Sequence, residues 1–429
     1  MARTTRVGRY DNPYSVAGWT RPPPAGTSCE PLVLETPDRA VARGWLYARG
    51  GETTAVLLVH PRADFSHHYA VPGLIDAGYA VLCLTTRWLN NDSTLLHEVV
   101  LLDVAAGVAA LRQRYDRVVL CGNSGGGSLL TFYVQQSLAG ARLTDTAAGD
   151  PFDLNRFDLP PADAMVYLAA HVGEGFYLLH AIDASVTDER DPVSCDRALD
   201  MYDPANGFVE PPAETRYEAE FVGRYREAQR ARVQRVDATA RDRVARRRDA
   251  RSRWERTAVA DDRRRAIATE FLTVYRTDAD PRFVDLSIDP SRRTVGSLWG
   301  VRPDWINYGA VGFGRVVSPE AWLSTWSGLS SRASIEHTGP DMTLPALVVS
   351  YSGDHGIFPS DTDLIAMSIA VPSVDRVEID ADHYGFRSPS QAPAPASSVG
   401  KAADSAGFAD STGRDEAVEA IADWMRKTG

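Results

Sequence analysis

The hydrophobic positions of the chain gather into six short apolar runs, at residues 54–59, 79–84, 117–121, 163–170, 344–351 and 374–379. Runs of this length, rich in Val, Leu and Ala, are too short for core helices and read as strands buried on both faces. Ahead of them, residues 32–35 and 41–47 alternate apolar with polar side chains around Thr36-Pro37-Asp38-Arg39, the pattern of an antiparallel hairpin. Between the runs the apolar spacing lengthens to that of helices. It does so near 69–77, over about 94–114 (Leu95, Val99, Leu102, Ala106, Leu111), from Ser128 onward, and at 415–426 (Val418, Ile421, Trp424, Met425). A hairpin followed by strands alternating with helices predicts an α/β fold, a mostly parallel sheet with helices on both faces.

The alternation lapses after residue 170 for about 170 residues, far too long for a simple crossover. Residues 171–343 are therefore expected to form a large, mainly helical cap, inserted into a core made of 29–170 and 344–429. Residues 1–28, with Pro13 and Pro22-Pro23-Pro24, read as an extended N-terminal arm. Residues 388–412, dense in Ser, Ala, Pro and Gly, read as a mobile loop. Inside the insertion, 217–265 has helical spacing at Phe221, Tyr225, Val233, Val236, Ala240 and Val244. Trp299, Trp305, Tyr308, Phe313, Trp322 and Trp326 would form the cap's own core or wall an apolar pocket.

Charge narrows the partners. The chain has 46 Lys and Arg against 57 Asp and Glu, a net charge of -11, which argues against a generic nucleic-acid binder. Residues 224–265 run the other way, with 16 Arg against 7 acidic residues. Because the acids are scattered through that run, it reads as a solvated helix face laced with ion pairs. No 18-residue apolar stretch and no apolar leader is present, so a cytoplasmic protein without a membrane partner is expected. Cys29, Cys83, Cys121 and Cys195 are widely spaced without a C-x-x-C pair, and read as reduced, small apolar residues. His67-His68 has no carboxylate or cysteine at ligand spacing, so no metal is expected and both read as surface histidines.

The chemistry centres on Gly122-Asn123-Ser124-Gly125-Gly126-Gly127, set between the 117–121 strand and a helix. This is a G-x-S-x-G elbow, in which a strained strand-to-helix turn lifts a serine hydroxyl above the sheet. No Lys follows the glycines, so it is not a phosphate-binding loop. A serine hydroxyl needs a base, itself oriented by a carboxylate. His383 follows the last strand and Asp354 the strand before it, giving the order serine, acid, histidine. Asp361, Asp380 and Asp382 are the alternative acids. The oxyanion would be held by the backbone N–H of Gly125 and, since Pro61 has none, by that of Arg62, with Ala63 next in line. His60, Arg87 and His171 lie at strand ends or at the junction with the cap and are candidate pocket residues. Asn90, Asn91 and Asp92 could contact a polar group or simply cap the following helix.

With His60-Pro61, the Gly122–Gly127 elbow, Ser350 to Asp354 and Asp382-His383 in place, the chain resembles the α/β-hydrolase superfamily over roughly 29–170 and 344–429. The resemblance implies an α/β-hydrolase fold with a cap and a triad of Ser124, Asp354 and His383. Serine at the elbow separates the chain from haloalkane dehalogenases and epoxide hydrolases, which carry Asp there, and Pro61 replaces the usual Gly of the His-Gly loop. The expected activity is cofactor-free hydrolysis of a carboxylic ester of a small organic substrate through an acyl-enzyme. Amide, thioester or C–C hydrolysis and acyl transfer on the same triad are alternatives, as is a non-catalytic ligand-binding protein. A homo-oligomer is compatible with all of these.

Overall fold

A computed structural model of the chain describes residues 18, 21–140, 142–371, 374–387 and 412–429. Most of the proposed N-terminal arm and nearly all of the proposed 388–412 loop lie outside the described residues. The apolar runs all form strands: β1 (Ser28–Glu35) and β2 (Val41–Ala48) make the hairpin, followed by β3 (Thr54–Val59), β4 (Ala80–Thr85), β5 (Arg117–Asn123), β6 (Ala164–Leu168), β7 (Ala346–Tyr351) and β8 (Asp375–Ile379). They join one sheet in the order β1-β2-β4-β3-β5-β6-β7-β8. Strand β2 pairs antiparallel with both its neighbours, and every pairing from β4 to β8 is parallel.

Alternation along the central strands feeds two cores. In β3, Ala55, Leu57 and Val59 face one side while Val56 and Leu58 face the other, and all are buried. Helices α1 (Ala70–Asp76) and a C-terminal helix cover one face; α2 (His97–Arg112), α3 (Gly125–Leu138) and a helix at Pro359–Ser368 cover the other. Helix α2 departs from the expected single apolar stripe, since all but a few of its residues are buried. At its N-terminus inserted residues lie over it, Ser324 Oγ accepting the N–H of His97 and Thr325 donating to the carbonyl of Leu95, and farther along Arg87 covers Asp103.

The residues between β6 and β7 build a third core of their own, around Tyr225, Val233, Trp322 and Trp326. It contains α4 (Glu174–Ala181), a 39-residue helix α5 (Ala219–Thr257) and α6 (Ala260–Ile267), with much irregular chain between. Several arginines of α5 meet carboxylates: Arg226 with Asp280, Arg232 with Glu189, Arg248 with Asp150 and Arg253 with Asp262 of α6. Among the described residues no helix is long and apolar enough to cross a membrane.

Candidate active site

At the C-terminal end of β5 the chain turns directly into α3, which begins at Gly125 rather than near Ser128. Two close approaches demand glycine. A Cβ on Gly122 would lie 2.5 Å from backbone atoms of Gly126 and Gly127, and one on Gly126 would overlap the carbonyl oxygen of Val59 on the neighbouring strand. Between them Ser124 is held at φ 53°, ψ −122°, a conformation L-residues seldom adopt, and its N–H donates to the carbonyl of Leu168 at 3.1 Å. Gly125 is the first residue of α3, so its N–H has no acceptor within the helix.

Asp354 follows β7 and His383 follows β8. One carboxylate oxygen of Asp354 accepts the N–H groups of Gly356 (2.7 Å) and Ile357 (3.0 Å), and the other lies 2.7 Å from Nδ1 of His383. Asp354 is 2% and His383 7% exposed. Burial depresses the basicity of the His383 ring, but the charge and hydrogen bond of Asp354 outweigh it, and its pKa lies above the ordinary 6.5. Ser124 and His383 line one cavity together with His60 and His171. The alternative acids are committed elsewhere: Asp361 to Arg282, Asp380 to Arg292, and Asp382 to the N–H groups of Tyr384 and Phe386.

Three expectations are corrected. The backbone N–H of Arg62 does not point at an oxyanion; it donates to Nδ1 of His60 at 3.2 Å, and that of Ala63 does the same at 3.0 Å. The chain after Pro61 wraps the imidazole instead. Accepting at Nδ1 leaves the ring proton of His60 on Nε2, and burial, aided by the Arg62 charge, holds the ring neutral, well below 6.5. Arg87 does not line the cavity. Its guanidinium is bound by Asp38 and by the fully buried Asp103, and it ties the hairpin turn to α2. His68, expected at the surface, is 1% exposed, and burial depresses it to about 3. Asn91 accepts from the N–H groups of Ser93 and Thr94 in a turn ahead of α2, and Asp92 pairs with Arg62. Among the inserted aromatics, Trp299 and Phe313 line the cavity, Trp322 and Trp326 are buried, and Trp305 and Tyr308 are about half exposed.

The side chain of Arg62 forms a feature no local pattern announced. It is 2% exposed, pairs with Glu174 at the start of α4, reaches Asp92 at 2.6 Å, and lies 5.0 and 4.8 Å from the ring centres of Phe313 and Trp326. Burial alone would push the Glu174 carboxyl up; the Arg62 charge foremost brings it down to about 2. The carboxylate sits against the elbow, for a Cβ on Gly125 would overlap it. Arg62 and Glu174 are 112 residues apart, and this separation hid the pair. The space within the cavity open to water-molecule centres is about 30 Å³, so an organic substrate needs displacement of the lining side chains.

No protein-family model matches the chain, and no curated protein does. Solved structures similar to it include DcsB in complex with its substrate analogue (12% identity, 94% of this chain and 100% of that one, TM-score 0.47). Others are the esterase domain of a Rhodothermus marinus protein (11%, 94% and 100%, TM-score 0.42) and the Pyrococcus furiosus esterase Pf2001 (10%, 98% and 96%, TM-score 0.41). The assignment of fold rests on the chain itself: with this strand order, a serine elbow after β5, and an acid and a histidine after the last two strands, the protein has the α/β-hydrolase fold.

Proposed function

We propose that the protein is a serine hydrolase that cleaves a carboxylic ester through an acyl-enzyme on Ser124, His383 and Asp354. The observation that carries this reading is the Asp354–His383 hydrogen bond of 2.7 Å beside a serine held at positive φ, with serine and histidine facing one cavity. The Asp354 bond keeps the ring proton of His383 on Nδ1, so Nε2 is the basic nitrogen. It accepts the Ser124 proton as Oγ attacks the ester carbonyl, and the N–H of Gly125 stabilises the oxyanion. The tetrahedral adduct then collapses, the alkoxide leaves with the proton held by His383, and water activated by the same imidazole releases the acid.

The test is a panel of chromogenic esters together with labelling by a fluorophosphonate. Turnover should fall by at least ~10⁴-fold in Ser124→Ala, and the label should map to the peptide carrying Ser124. Turnover that survives Ser124→Ala, or the absence of both turnover and label, refutes the proposal.

A further inference from the structure

The cavity wall holds more hydrogen-bonding capacity than this chemistry uses. Among the described residues, the Tyr177 hydroxyl, the Trp299 indole N–H and Nδ1 of His171 are buried without a protein hydrogen-bond partner. All three residues line the cavity beside Ser124 and His383, and Tyr177 and His171 are only 7% and 6% exposed. They form one patch: the ring of Tyr177 stands edge-on to Phe313 at 5.3 Å, Trp299 lies 4.8 Å from Phe313, and His171 lies 6.1 Å from Tyr177.

Each atom has a defined sense. An indole N–H only donates. Burial keeps the Tyr177 hydroxyl protonated, so it too is a donor. The Glu174 carboxylate, 3.8 Å from Nε2 of His171, favours the ring proton on that nitrogen and leaves Nδ1 as an acceptor. Native proteins pair the large majority of buried polar atoms. Three unpaired ones on residues that line the cavity with the reacting serine, beside Phe65, Leu298 and Phe313, fit a substrate that brings the partners itself.

We propose that the substrate is a small ester whose body carries hydroxyl or oxo oxygens beyond the scissile group, and that Tyr177, Trp299 and His171 recognise them. This rests on the hydrolase reading above. A plain alkyl ester of the same size would bury the three polar atoms unpaired and be discriminated against.

The test compares the p-nitrophenyl esters of 3-hydroxybutanoate and 3-methylbutanoate, which differ by hydroxyl for methyl, on the full chain. We expect kcat/KM to favour the hydroxy ester by at least ~10-fold, and the ratio to fall towards one in Tyr177→Phe and, separately, in Trp299→Phe. Where turnover is slow, the same ratio is read from how each ester retards fluorophosphonate labelling of Ser124. A wild-type ratio near or below one, with label or turnover dependent on Ser124, overturns this inference and leaves the hydrolase reading standing. A ratio unchanged in both variants overturns it too. Absence of both turnover and labelling removes the hydrolase reading and this inference with it.

Discussion

Replacing Arg62 by Met tests whether the buried pair under the elbow carries charge. Met keeps much of the apolar stem but removes the guanidinium that faces Glu174, itself 1% exposed. Breaking a buried ion pair from one side costs about 3–5 kcal/mol, because the remaining charge stays desolvated. At roughly 2.1 cal/mol/K per residue, 429 residues give an unfolding entropy near 0.9 kcal/mol/K, so a fall in Tm of about 3–6 °C is expected. The pH dependence supplies the sharper readout. In the parent, Glu174 is depressed to about 2, so its contribution is fully present above the ordinary 4.5 and is lost as pH falls towards 2. In Arg62→Met, burial raises the carboxyl instead, and folding is increasingly penalised as pH rises above 4.5. The difference in Tm between parent and variant, followed by calorimetry, should therefore be larger at pH 8 than at pH 5. Adding Glu174→Gln to Arg62→Met should recover part of the loss at pH 8. A difference that is the same at both pH values, with no recovery in the double variant, refutes a charged Glu174.

Ester hydrolysis should rise with pH as His383 loses its proton, with a kcat/KM midpoint above 6.5. Asp354→Asn should lower that midpoint and cut kcat by about 10⁴-fold, and an unmoved midpoint would contradict the role given to Asp354. Gly126→Ala should abolish soluble folded protein, since the new Cβ meets the backbone of β3 rather than a movable side chain. Gly223→Ala, on α5 with nothing within 4 Å of the added carbon, should stabilise by up to about 1 kcal/mol, and equal melting curves for the two would rule out the steric account. Arg87→Met leaves Asp103 buried without its cation and should cost about 3 kcal/mol of stability with KM unchanged; a raised KM at parental stability would return Arg87 to the pocket.

What could be read in the sequence tracks the range of the forces involved. Strands β3 to β7 were legible because both faces are buried, so the runs are apolar throughout and no register or partner needs to be known. The elbow was legible for a local reason: Gly122 and Gly126 are required by contacts within or next to one turn. Helix α2 was located, but its stripe was misjudged, because what covers its N-terminal end, Ser324 and Thr325, comes from more than 200 residues away. A separation of 112 residues concealed the Arg62–Glu174 pair, whereas the N–H of Arg62 was misjudged for a local reason: His60, two residues earlier, turns its imidazole back to accept it.

The abundance of arginine, with lysine confined to Lys401 and Lys427, acquires a reason in the inserted residues. Most of that chain forms no sheet, and its buried carbonyls still require donors. Arg232, fully buried on α5, binds Glu189 through two nitrogens at 2.7 Å each and also donates to the carbonyls of Asp183 and Tyr275. Arg293 donates to the carbonyls of Asp289 and Ile288, and Arg226 joins Asp280 to the carbonyl of His180. One guanidinium offers five donors in a plane and is less strongly hydrated than an ammonium, so it can satisfy a carboxylate and several carbonyls at once in a dry interior. Arg226, Arg232 and Arg293 thus do for irregular chain what strand pairing does for the sheet. Most other arginines of α5 lie on its solvated face, so it is a few of them, Arg232 foremost, that brace the inserted chain whose core includes Tyr177, Phe313 and Trp326.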